Sequence, residues 1–238
     1  EQYITFSENG FDWKTPRRIL PSEKWLWRIR EHEGQYYGLI QDLTGSWADG
    51  NKPHQLDLAV SSDLLHWEIT ARIGDGQGLN ESDIHWQPDG EAWVVARTVQ
   101  QTNEVGSYFA TAQPPYTDWQ TTPLQPMVHA PVFLHHDGEL YVAGRSNPRR
   151  DGRTTFPFNT SSVGIWRVAP GQLTPVLDIP ATGDCSYPGL IEDPDGRVCM
   201  SYYSQHAYHL GVAEPPPELD REQGHSVSDV YFAELDLS

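Results

Sequence analysis

An all-β fold assembled from one repeated unit is what this 238-residue sequence predicts, on three observations. Four segments share the order apolar strand, Gly-containing turn, aromatic-rich strand; Ser- and Trp-bearing turns recur between them; and no stretch keeps a helical 3.6-residue period before Pro or Gly interrupts it. The four segments run Trp25–Ile40 around Gly34, Glu81–Arg97 around Asp89-Gly90, His129–Arg145 around Asp137-Gly138, and Tyr187–Tyr203 around Asp195-Gly196. Each reads as a β-hairpin. The intervening turns are Ser7-Glu8-Asn9-Gly10-Phe11-Asp12-Trp13 and Ser61-Ser62-Asp63-Leu64-Leu65-His66-Trp67, with a weaker echo ending at Trp119. Trp13, Trp67 and Trp119 are 54 and 52 residues apart, so the unit is about 50 residues and implies stacked or radial β units.

Composition narrows the function. With 37% hydrophobic and 21% charged residues, 20 Gly and 19 Pro, residues 1–238 suit a single domain with a sizeable core. No run approaches the roughly 18 apolar residues of a spanning helix, and Glu1 opens no charged-then-apolar leader, so membrane insertion is not expected. The 33 acidic residues against 16 basic ones give −17, a field that repels nucleic acid and anionic lipid alike. Arg outnumbers Lys 13 to 3, and Arg is the side chain that grips a carboxylate with two parallel hydrogen bonds. Two cysteines, Cys185 and Cys199, make neither a disulfide scaffold nor a Cys-based zinc site, and both are expected to be reduced. The compartment stays open: secreted or periplasmic if a leader was removed, otherwise cytoplasmic.

Register decides which side chains meet. Nine residues before each hairpin Gly stand Trp25, Glu81, His129 and Tyr187; seven after it stand Gln41, Arg97, Arg145 and Tyr203. The start of one antiparallel strand and the end of the next share a rim, so these eight positions are expected to gather, with Asp49, Asp184 and His206 close by in sequence. Glu, His, Tyr and Arg collected in this way have the composition of a ligand site.

The Ser-x-Asp-x-x-x-Trp turns resemble the Asp box of sialidases and related β-propellers, in which the Asp bonds turn amides and the Trp packs between blades; Asn9 replaces the first Asp. This resemblance implies an all-β propeller, five-bladed at about 50 residues per unit, or a six-bladed sialidase fold missing an N-terminal part. It continues in chain order. Arg28 in Trp27-Arg28-Ile29, Asp49 ahead of the turn at Ser61, Glu81 with Arg97, Arg145, and Tyr187 in Ser186-Tyr187-Pro188-Gly189-Leu190 are similar to the sialidase series of Arg, acid/base Asp, Glu, two further Arg and Tyr. The interval from Asp49 to Glu81 is shorter than that series has. What the resemblance implies is an exo-acting, retaining glycoside hydrolase for an acidic sugar, with neither metal nor cofactor. Arg28, Arg97 and Arg145 would hold the substrate carboxylate, and Glu81 would act as base to the nucleophile Tyr187. Asp49 would serve as acid/base, and His129, Tyr203 and His206 would contact substrate. A phenol is neutral until its proton leaves, which suits attack on an anionic centre.

Each of these residues also has a structural role open to it. Arg28 can pair with Glu31 or Glu33, Arg97 and Arg145 can form ion pairs between blades, Tyr187 and Tyr203 can pack, and Asp49 can hold a turn. His129, His206 and His209 are open between substrate contact, proton relay and metal, although no His spacing matches a metal motif. Ser61-Ser62-Asp63-Leu64-Leu65-His66-Trp67-Glu68 also resembles a segment of five-bladed furanosidases acting on arabinans, xylans and fructans. That alternative implies an acid and a base drawn from Asp42 or Asp49, Asp184, and Glu81 or Glu192, roughly 6.5–9.5 Å apart in inverting enzymes. No inner strand opens with the Asp that such enzymes display. Two further alternatives are a uronate lyase using His129 or His206 with Tyr203, and a non-catalytic carbohydrate-binding propeller with Trp25, Trp27, Trp47 and Trp86 stacked on sugar faces.

Overall fold

The structure, a computed structural model, describes residues 1–44, 54–102, 104–147, 161–209 and 227–237. Seventeen strands and one short helix are described. β1 (Gln2–Ile4) and β2 (Arg17–Leu20) form a two-stranded sheet. β3 (Lys24–His32), β4 (Gln35–Asp42), β5 (Gln55–Ser61) and β6 (Glu68–Ile73) form a four-stranded one, as do β7 (Leu79–Trp86), β8 (Ala92–Thr98), β9 (Ser107–Ala112) and β10 (Gln120–Leu124). β11 (His129–His136), β12 (Glu139–Ser146), β13 (Ser162–Ala169) and β14 (Gln172–Ile179) make another. β15 (Ser186–Glu192), β16 (Val198–Ser204) and β17 (Asp229–Leu235) make a three-stranded sheet, with α1 (His206–His209) following β16. Each sheet runs in sequence order, the topology of a propeller blade, so the chain is all-β and propeller-like. Four blade sheets are described against the five expected from length; among the described residues β1 and β2 pair only with each other. Among the described residues no helix is long and apolar enough to cross a membrane.

The four expected hairpins are β3–β4, β7–β8, β11–β12 and β15–β16, and their turn residues Gly34, Gly90, Gly138 and Gly196 all adopt a positive φ of 75–88°. That conformation costs an L residue about 1 kcal/mol or more, which is why glycine recurs there. The chain divides into two compact units, one of Glu1–Val94, Thr98–Gln100 and Ala110–Thr122, the other of Val95–Arg97, Gln101–Phe109 and Pro123–Ser238.

In the first unit the Ser- and Trp-bearing turns share one geometry. Asp63 Oδ1 accepts from the amides of Leu65 and His66 at 2.8 and 2.9 Å, and Asn9 Oδ1 accepts from Phe11 and Asp12 at 2.9 Å each. Trp67 Nε1 donates to Leu64 O and Trp119 Nε1 to Tyr116 O, three residues back in both cases. Leu64, Tyr116 and Gly10 all have a positive φ, so the weak echo at Trp119 is the same turn in other residues. Trp67 then packs with Ile19 and Leu26 on buried Leu20, Ile40 and Ala59. A Cβ at Gly38 would lie 2.8 Å from the Trp67 ring and 2.4 Å from Leu26, so the indole seats only over a bare glycine. Arg30 ties β3 to β7 by a two-pronged bond to Asp83, Nε to Oδ1 at 2.9 Å and Nη2 to Oδ2 at 2.5 Å, with Asp83 wholly buried.

In the second unit Val132, Ile165, Leu190, Met200 and Leu237 belong to one buried cluster. Cys185 and Cys199 are buried free thiols, as expected. His136 at the end of β11 bonds Glu192 at the end of β15 through Nδ1 and Oε2, 2.6 Å apart. Glu192 therefore serves the hairpin-turn end of its strand, away from the rim where it was considered as a catalytic carboxylate.

Two outcomes follow for stability. Asp83→Asn leaves the Arg30 guanidinium without its buried counter-charge and should destabilise the fold by about 3 kcal/mol in denaturant titrations, the low end for a broken buried pair because Arg30 is 36% exposed. Glu192, by accepting the hydrogen bond, holds His136 above the usual 6.5, against a smaller opposing effect of burial. Its contribution is complete below that usual value and disappears as pH rises through the raised one. The stability difference between the wild type and Glu192→Gln should shrink accordingly with rising pH; a gap that widens refutes the assignment.

Candidate active-site rims

At the first unit's rim the start of β3 meets the end of β4, with Trp25 directly opposite Gln41 as the register count expects. β5 returns beside β4, pairing Gln55 with Asp42, which brings His54 to the same rim. Trp27 Nε1 donates to Gln41 Oε1 at 2.9 Å, and Gln41 Nε2 lies 2.8 Å from His54 Nδ1. Asn80 Nδ2, from β7, stands 3.5 Å from the same nitrogen, while Asn80 Oδ1 accepts from the Glu81 amide at 2.7 Å. Gln41, Asn80 and Glu81 are all buried, so the polar groups of this rim are built into the fold rather than draped over it. Trp25 remains 48% exposed, its ring 5.6 Å from that of Trp27. Asp42 bonds Lys24 Nζ at 2.8 Å and the Thr44 amide at 2.9 Å. Burial would raise the Asp42 carboxyl, but Lys24 and Thr44 together outweigh it and hold the group below the usual carboxylate range, hence ionised.

The second unit's rim is organised by Arg145. His129 stands opposite Arg145 as expected, whereas the residue opposite Tyr203 is Ser186 and not Tyr187. The difference is an irregularity between Ser186 and Gly189, where Tyr187 takes a φ of 47° and is left 44% exposed. Arg145 donates through Nε to Cys185 O at 2.5 Å and through Nη2 to Asp184 Oδ1 at 3.1 Å. Tyr203 OH donates to the same Asp184 oxygen at 2.8 Å, and its ring stacks on that of Tyr187 with centroids 6.0 Å apart. Burial, opposed by Arg145 and reinforced by Asp184, pushes the Tyr203 hydroxyl well up, so it is a protonated donor. Burial likewise pushes the Cys185 thiol up to about 11, against Arg145, and makes it a poor nucleophile.

The expected site residues thus fall into two groups. Glu81 stands in the first unit beside Asn80; Arg28 is there too, half-buried near Asp83 and Arg30, and its burial, opposed by Asp83, lowers its pKa. Arg145, Tyr187 and Tyr203 come together in the second unit, in a cluster with Asp184. His129 is fully buried with Nε2 hydrogen-bonded to the Gln101 amide, and His206 bonds Ser204 Oγ through Nδ1 at 3.0 Å. Arg97 is half-buried near the end of β8. Asp49, Trp47 and the His209 side chain lie outside the described residues. The count along the sequence missed His54 and Asn80. Asn80 had a signal, since Leu79-Asn80-Glu81-Ser82-Asp83-Ile84 sets four polar residues in succession in a buried strand; His54 had none. Among the described residues no three His, Cys, Asp or Glu side chains gather as metal ligands would.

No protein-family model matches the chain, and no curated protein matches it. Solved structures do. The chain is similar to a xylan β-1,4-xylosidase from Bacillus halodurans, at TM-score 0.65 and 11% identity over 98% of this chain and 48% of that one. It is similar to an endo-arabinase from Bacteroides thetaiotaomicron, at TM-score 0.57 and 14% identity over 99% and 86% of the two chains. An endosialidase of phage phi92 matches at TM-score 0.58 and 13% identity over 86% of this chain and 34% of that one. The chain spans about half the length of the xylosidase, and at these identities the likeness is one of fold: an all-β propeller shared with glycoside hydrolases.

Proposed function

We propose that the protein is a glycoside hydrolase of the furanosidase type, cleaving xylan- or arabinan-derived oligosaccharides with a pair of carboxylates. The observation that carries this is Glu81, buried near the start of β7 next to Asn80, whose side chain reaches His54 and through it Gln41, with Trp25 exposed opposite Gln41. Glu81 is assigned as general acid. Its counterpart is Asp42 at the end of β4, which Lys24 keeps charged. A general acid and a second carboxylate on either side of a glycosidic oxygen are what this chemistry requires. The xylosidase and endo-arabinase likenesses support the substrate class.

Acidic-sugar hydrolysis through Tyr187 is the second reading, and the endosialidase likeness favours it. Against it stands Arg145, whose guanidinium already faces Asp184.

Glu81→Gln should lower kcat on xylo- or arabino-oligosaccharides by about 10²–10⁴-fold with little change in KM. The check is product formation followed by NMR, which also reads the anomer released. Turnover within twofold of wild type would reject Glu81 as the acid. Tyr187→Phe should leave this activity within threefold; cleavage of a sialoside that vanishes in Tyr187→Phe would instead establish the second reading.

A further inference from the structure

β1 and β2 repeat the outer half of the blade that follows them. A shift of 54 residues carries Ser7 and Trp13 onto Ser61 and Trp67, and it carries the pairs Tyr3↔Arg18 and Ile4↔Arg17 onto Asp57↔Arg72 and Leu58↔Ala71 of β5–β6. Turn and register agree, so β1 and β2 stand as the third and fourth strands of a blade. In the complete blade the third strand has a second neighbour: β4 pairs with β5 from Tyr36↔Ser61 to Asp42↔Gln55. Among the described residues β1 has no such neighbour. Burial differs accordingly. Leu56, Leu58 and Ala59 are wholly buried, whereas their counterparts Gln2, Ile4 and Thr5 are half-buried, and Tyr3 is exposed where Asp57 is buried. Trp67 seats over Gly38 of β4, but Trp13 is 62% exposed although Asn9 has made its turn bonds to Phe11 and Asp12. The turn forms and its indole finds no seat.

We propose that the edge of β1 and the face of Trp13 form a docking surface for one β-hairpin of a partner polypeptide, which adds to β1 as β3–β4 adds to β5. A strand edge with unpaired N–H and C=O groups beside an exposed apolar side chain is a template for strand addition. The repeat specifies the occupant. Its second strand runs antiparallel along residues 1–7 and carries glycine opposite Thr5, the counterpart of Gly38 opposite Ala59. Glycine is required there because a Cβ at Gly38 would lie 2.8 Å from the Trp67 ring, and the same contact would meet Trp13. Its first strand brings an aliphatic side chain to the indole, as Leu26 of β3 joins Trp67 in one cluster. Main-chain pairing supplies the affinity, and the seat for Trp13 supplies the selection.

The probe is a synthetic peptide of residues 24–42, the chain's own hairpin of this pattern. Its ends are joined by an added disulfide, because a lone two-stranded hairpin is marginal in water. Titrated into ¹⁵N-labelled protein, it should shift the Trp13 indole N–H resonance, identified by its loss in Trp13→Phe, in a saturable way. Amides of residues 2–6 that β2 leaves unbonded should gain at least tenfold protection from hydrogen exchange. Trp13→Ala should weaken the peptide at least tenfold, and a peptide carrying Gly38→Val should fail to bind the wild type; the second variant leaves the protein itself unaltered. No shift at millimolar peptide, or binding indifferent to both substitutions, would overturn the proposal. So would a Trp13 resonance that moves with protein concentration alone, which would assign this edge to a second copy of the chain.

Discussion

A strand that buries Asn80, Glu81, Ser82 and Asp83 in succession is the constraint on which the first unit depends. Moving a polar side chain from water into protein without a partner costs on the order of 1–3 kcal/mol, and a lone charge costs more. Asp83 is met by the fork of Arg30 from β3, and Asn80 by the backbone of its own neighbour and by His54. These partners come from different strands: Arg30 ties β3 to β7 toward the turn end of β3, and Asn80 ties β7 to the β5 entry at the rim. A substitution that removes charge at Asp83 should act first on stability, whereas one at His54 or Trp25 acts on the rim alone.

Local irregularity performs a second task. The pairing of β3 with β4 shifts between Leu26 and Ile29, that of β11 with β12 between His129 and Val132, and that of β15 with β16 between Ser186 and Gly189. Ala130 and Tyr187 occupy the left-handed region inside two of these shifts. An extra residue in one strand of an antiparallel pair bends it and turns a side chain out of the pleat, and such shifts recur near functional sites. Here they carry Trp27 and Tyr187, the first donating to Gln41 Oε1 and the second lying open over Tyr203.

What the sequence disclosed follows from the range of each interaction. The four hairpins, the turn glycines and the repeated Trp turns are local, and a count of nine before and seven after the glycine correctly opposed Trp25 to Gln41 and His129 to Arg145. The same count missed Ser186 opposite Tyr203 because one residue is absorbed by the shift at Tyr187. Partners from different hairpins were beyond reach. Arg30 and Asp83 are 53 residues apart and Arg145 and Asp184 39; of the two roles the sequence leaves open to Arg145, substrate clamp and ion pair, its partner Asp184 supplies the ion pair. His54 follows directly on residues 45–53, outside the described residues, and precedes β5 without any motif to mark it. Sialidase-type and furanosidase-type turns share their first residues, which is why the turn alone favoured the reading that the xylosidase and endo-arabinase likenesses support less.

Charge supplies a separate argument about the substrate. In a chain of net charge −17 an anionic sugar meets repulsion, but beyond about 8 Å salt screens repulsion and attraction alike, so charges at contact range decide. Binding such a sugar requires cations held close and not already matched. Arg30 faces Asp83, Arg72 faces Asp57, Arg145 faces Asp184 and Arg197 faces Asp193. Drawing any of these four toward a substrate carboxylate means separating it from its own, and for Arg30 and Arg72 that would strand a carboxylate almost wholly buried. A neutral sugar demands no such exchange. It needs hydrogen-bonding groups and an aromatic face, and the function proposed above draws these from the rim where Gln41 and Asn80 are buried and Trp25 is exposed.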